Sequence, residues 1–166
     1  MFVAGSAGQA LAADKKAEMT ADVEQAKAAL IEKDEGLKDL FEKASGYVIF
    51  PSVAKGGLGV GAARGKGQLL EKGKVMGETT MTQVSVGFQA GGQAYVEAIL
   101  FEDQTSLDNF KKGNFEFSAQ VSAVAVKAGV AKTAKYEKGV MVLTLAKGGL
   151  MYEASVGGQK FKYAAY

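Results

Sequence analysis

The chain has no cysteine, no histidine and one proline. Without cysteine there is no disulfide framework and no thiol nucleophile, and the redox compartment cannot be read. The lack of histidine as well removes the usual zinc sites, Ser-His-Asp triads and imidazole general bases. The acidic residues are scattered without a conspicuous pair, so the chain is expected to be non-catalytic and to need no cofactor or metal. The single proline contrasts with 22 glycines among 166 residues. Glycine spread through alternating segments points to closely packed β structure rather than collagen or disorder.

What is present suits one globular domain: 166 residues, 48% hydrophobic and 23% charged. The formal net charge of +2 hides a segregation. Residues 14–45 and 79–110 are net acidic, whereas 46–78 and 111–166 are net basic. Such blocks suit an anionic partner on one side of the molecule. The basic runs are not interleaved with stacking aromatics, which argues against nucleic acid.

The most informative stretch is Gly46 to Gln68, GYVIFPSVAKGGLGVGAARGKGQ. A short apolar strand, Tyr47 to Phe50, is expected to stop at Pro51, which lacks an N–H for a ladder. Positions 57, 59, 61, 63, 65 and 67 are then Gly or Ala, alternating with Leu58, Val60, Ala62, Arg64, Lys66 and Gln68. As an extended strand this puts nearly bare backbone on one face and a row changing from apolar to basic on the other. Close approach of another layer or of a ligand is the expected reason for the glycines. Nucleotide-binding loops are set aside: no helical period follows Gly57-x-Gly59, and Gly61 stands too near Gly65-Lys66 for a Walker motif.

Residues 1–12 end in Ala10-Leu11-Ala12 and resemble the tail of a secretory signal, which predicts a signal remnant at 1–12, one domain over 13–166, and a periplasmic or otherwise exported protein. Apolar residues at Val23, Ala26, Leu30, Leu37, Leu40 and Phe41 make a helical stripe over 20–44, suited to packing on a sheet and divisible at Gly36. Glu71-Lys72-Gly73-Lys74 reads as a hairpin turn. Thr80 to Ala90 alternates as a strand, and Ala94 to Phe101 reads as a strand covered on both faces. A capping box at Thr105 predicts a two-turn helix over 105–112. A long alternating strand is expected from Phe115 to Ala125, a lysine-rich loop after it, and further strands at 140–146, 150–156 and 160–163. The class expected is α+β: a mainly antiparallel, twisted or barrel-like sheet with one long N-terminal helix and a short helix near 105–112. An eight-stranded membrane barrel has the right length, but its outward faces would be rich in Ala, Ser and Gly, and the charged helix has no place in it.

FPSVAKGGLGVGAARGKG (50–67), VSVGFQAGGQAYVEAILF (84–101), SLDNFKKGNFEFSAQVSAVAV (106–126) and GVMVLTLAKGGLMYEASVGG (139–158) resemble the SYLF domain in four motifs taken in order. The resemblance implies a lipid-binding module, with phosphoinositide-type headgroups as the eukaryotic ligands and export of single-domain bacterial members. The leading helix is net acidic, which disfavours insertion among anionic lipids. Lys55, Arg64 and Lys66 are the candidate anion site, with Lys72 and Lys74 on the hairpin turn nearby and main-chain N–H groups of the glycine strand as further donors. Arg64 and Lys66 equally fit solvated strand-end charges. The expected partner is therefore an anionic lipid or membrane surface, bound peripherally. A structural or protein-interaction role in the cell envelope, with an envelope protein as partner, is the alternative.

Overall fold

The computed structural model describes residues 3–55, 63–83, 94–118, 120–147 and 156–166, with the backbone alone for 3–7 and 55. The expected strand residues 57–62, 84–90 and 150–155 lie outside the described residues. The chain opens with helix α1 (Val3–Lys33), and a turn containing Gly36 leads into α2 (Leu37–Lys43). Among the described residues eight strands follow: β1 (Gly46–Lys55), β2 (Ala63–Glu71), β3 (Lys74–Gln83), β4 (Tyr95–Phe101), β5 (Phe115–Glu116), β6 (Val124–Ala125), β7 (Val140–Ala146) and β8 (Lys160–Ala165). Helices α3 (Gln104–Lys111) and α4 (Val130–Thr133) complete the set. The strands make one sheet in the order β5-β8-β3-β2-β1-β4-β7-β6, antiparallel except between β6 and β7. The α+β expectation holds.

The sheet is strongly curled. On a flat sheet β8 and β1 would stand three spacings apart, roughly 14 Å, yet the Phe161 and Phe50 rings are 5.9 Å apart. The face that carries them is therefore the concave one. It buries Val48, Phe50, Leu69, Met81, Ile99, Phe101 and Phe161, and α3 adds Leu107 and Phe110. The opposite face buries Tyr47, Ile49, Leu70, Ala98, Leu100 and Leu143 under Val23, Ala26, Leu30, Leu37 and Phe41 of α1 and α2. The predicted stripe thus docks on the sheet, while residues 8–18 of α1 stay exposed.

Four details differ from expectation. Pro51 does not end β1; two β1 residues, Phe50 and Pro51, face the single β2 residue Gly67, a bulge that tolerates a residue without an N–H. Gly67 is needed there, because a methyl group would run into the Ile49 carbonyl oxygen and stand 3.0 Å from the Phe50 ring. Next, α3 is capped by Asp103, which accepts from the Ser106 amide at 2.8 Å, not by Thr105. Among the described residues the expected strand 115–125 is present as β5 and β6, which lie on opposite margins of the curled sheet. Finally, the lysine-rich loop contains one helical turn, α4, tied down where Asp34 Oδ2 accepts from the Ala131 amide at 2.7 Å.

Candidate anion-binding face

Arg64 and Lys66 sit two apart on β2, and the residues between and around them, Ala63, Gly65 and Gly67, are buried on the concave side. Strand alternation therefore sends both cations to the convex face. Registers then extend the pattern across three strands. Arg64 pairs with Thr82, and Thr82 with Lys160; Lys66 pairs with Thr80, and Thr80 with Lys162. Cross-strand partners share a face, so four cations frame two threonines in a rectangle of roughly 10 Å by 7 Å between Cα positions. All four cations and Thr82 are exposed, and Thr80 is half-buried. On β1, Ser52 and Ala54 continue the two rows.

Among the described residues the ion pair is Lys111 with Glu71, so none of the four cations is neutralised by a close carboxylate. The nearest acids in register are Glu78, two residues from Thr80, and Glu116, opposite Lys160. Gln68, the next residue on this face after Lys66, donates to Thr20 Oγ1 and to the Tyr166 hydroxyl, each at 3.0 Å. Helix α1 thus crosses at Gln68, and the cationic rectangle begins just beyond it.

The other predicted residues distribute differently. Lys55 closes β1 opposite Ala63, and its side chain lies outside the described residues. Lys72 and Lys74 flank the far end of the β2–β3 hairpin, where Lys72 and Gly73 both have positive φ as a type I′ turn requires. Six residues along β2 separate Lys72 from Lys66, roughly 20 Å, so this pair does not join the cluster. Within the described part of the glycine strand, 63–67, main-chain donors are not available either: β2 is a central strand laddered to β1 and β3, and its glycine face is packed inward. Lys160 and Lys162 are the residues that sequence reasoning missed. Their alternation with Phe161 was visible, but the pairing of β8 with β3 spans some eighty residues.

A second polar group lies inside the curl. Glu97 of β4 is fully buried on the concave face, and its Oε1 accepts from Gln159 Nε2 at 2.8 Å. The same Gln159 nitrogen is 3.3 Å from Gln83 Oε1, while Gln83 Nε2 donates to the Gly157 carbonyl at 3.1 Å. Glu97 Oε2 and Gln159 Oε1 have no hydrogen-bond partner among the described residues. Burial pushes the Glu97 carboxyl up to about 8, with the Gln159 hydrogen bond opposing. The neighbouring Tyr95 phenol is raised chiefly by burial and further by Glu97. Glu97 is thus neutral at pH 7, which removes the charge an apolar interior would not tolerate.

No family model matches the sequence. The chain is 33% identical over 134 residues to Beta cell expansion factor A of Aeromonas veronii, a match covering 80% of this chain and 51% of that protein. The chain therefore spans about half the length of the curated relative it matches. Among the described residues no helix is long and apolar enough to cross a membrane.

Proposed function

We propose that this chain is a non-catalytic SYLF-type module that binds anionic lipid headgroups from the surface of a membrane. The observation that carries the reading is the unpaired rectangle of Arg64, Lys66, Lys160 and Lys162 around Thr80 and Thr82. Headgroup phosphates are matched by cations with hydroxyl donors between them. Each cation near an anionic surface contributes about 1 kcal/mol, so the four together support a reversible, salt-sensitive association. The four SYLF-like motifs agree with this reading. Docking of α1 through Val23, Ala26 and Leu30 leaves the sheet, rather than that helical stripe, as the surface for lipid. The place of action is the exported side of the cell, following the signal-like residues 1–12.

The test is co-sedimentation with vesicles of phosphatidylcholine containing phosphatidylglycerol. Binding is expected to fall with added salt, and R64E/K66E to weaken it by roughly 30-fold or more. A folded double variant that sediments like the parent would reject the site. Failure of the parent to bind any vesicle, with stable capture of one envelope protein, would favour the alternative interaction role.

A further inference from the structure

Among the described residues the curled sheet does not close. Its margins, β5 and β6, are joined by residues 117–123, and between this crossing segment, α3 and β7 lies a cleft of about 400 Å³. That volume falls at the lower end of the roughly 300–1,000 Å³ typical of small-molecule sites. Its floor is apolar: Phe117 is buried, and Phe115, Val121 and Val140 pack against the concave core around Phe161. Ser118, Gln120 and Ser122 stand exposed along one lip, and Lys135 and Lys138 on the other. The lining itself holds two lysines, Lys135 and Lys138, and two acids, Glu116 and Glu137, and the positive excess comes from the residues around it. Glu116 faces Lys160 in register, and Glu137 is the acid between the two lysines, within a segment that also holds Lys127 and Lys132.

We infer that this cleft binds one alkyl chain of a single-chain amphiphile, with its anionic head held at the mouth by Lys135 and Lys138. The site deepens the lipid-binding reading but stands apart from it, because the cleft opens at the seam between the sheet margins and the cationic rectangle lies on the convex face. An apolar floor under a hydroxyl- and amide-lined lip, with cations outermost, follows the polarity of a fatty carboxylate from tail to head. A headgroup alone would make no use of the apolar floor, and a neutral hydrocarbon would leave the lysines unused.

The probe is cis-parinaric acid, used below its aggregation range with the full chain, since its fluorescence rises on leaving water. One saturable site is expected. Val121→Trp, which fills the cleft, is expected to abolish the signal. K135E/K138E, at exposed positions that do not threaten folding, is expected to weaken binding roughly tenfold while leaving binding of the uncharged parinaryl alcohol unchanged. R64E/K66E is expected to bind the probe like the parent. The inference is overturned if parent and K135E/K138E bind the acid equally, or if a Val121→Trp protein with unaltered circular dichroism keeps full binding. Loss of probe binding in R64E/K66E would also overturn it, by moving the ligand to the convex face. Vesicle sedimentation of the same variants reports separately on that face.

Discussion

Glu97 makes the stability of this protein depend on pH in a direction opposite to that of most carboxylates. Its folded pKa is about 8, against 4.5 for the exposed group. Below pH 4.5 both folded and unfolded states hold the proton and the group contributes no difference. As pH rises toward 8 the unfolded chain ionises while the folded chain does not, so the unfolded state gains relative to the folded one. At 1.36 kcal/mol per pH unit, the loss amounts to about 2–3 kcal/mol between pH 5 and pH 7. It levels off at roughly 4–5 kcal/mol above pH 8, a large share of the 5–15 kcal/mol that typical domains possess. Glu97→Gln removes the titration while keeping an oxygen for Gln159 Nε2. Urea denaturation of parent and variant from pH 5 to pH 9 is the assay, and the difference between the two curves isolates this side chain from every other titrating group. The variant is expected to match the parent near pH 5 and to exceed it increasingly through pH 8. Two curves that stay parallel across that range would show that the carboxyl is not held neutral.

Other outcomes follow from packing. Gly67→Ala places a methyl against the Ile49 carbonyl oxygen and is expected to destabilise by about 3 kcal/mol or more, seen as a lower denaturation midpoint; Gly8→Ala, with open space around it in α1, is expected to leave the midpoint unchanged or raise it slightly. Phe161→Ala removes a ring that touches Phe50, Phe110, Phe115 and Phe117, and a loss of about 3–5 kcal/mol is expected in the same assay. Leu30→Ala empties a fully buried position between α1 and the sheet, with an expected loss of about 2–5 kcal/mol and earlier amide exchange in α1. K72E/K74E, far along the hairpin from the cationic rectangle, is expected to change vesicle binding much less than R64E/K66E does, measured by co-sedimentation.

Local patterns in the sequence were sufficient for the parts of the fold whose causes are local. The stripe Val23, Ala26, Leu30 has the helical period, Lys72-Gly73 has the turn chemistry, and Tyr95 to Phe101 is apolar almost throughout, as a doubly covered strand must be. Each of these elements stands where expected. Local pattern misleads where a distant neighbour decides. Pro51 looked like a stop because the bulge that accommodates it depends on Gly67 across the ladder. Residues 115–125 alternate like one strand, yet the two ends pair with different strands on opposite margins, 115–116 with β8 and 124–125 with β7. For the site, the period of two put Arg64 and Lys66 on one face, but only long-range pairing adds Lys160 and Lys162 and leaves out Lys72 and Lys74. Glu97 carried no local sign of its role, since Gln83 of β3 and Gln159 just ahead of β8 stand on two neighbouring strands far from β4 in the sheet order and meet it across the curl.

Residues 115–125 hem both borders of the sheet with one continuous thread. A single cut or local melting there would strip β8 and β7 of their outer neighbours together. A unit bared on two opposite borders can recruit a copy on each side, so damage at this thread would favour open-ended fibres over closed pairs.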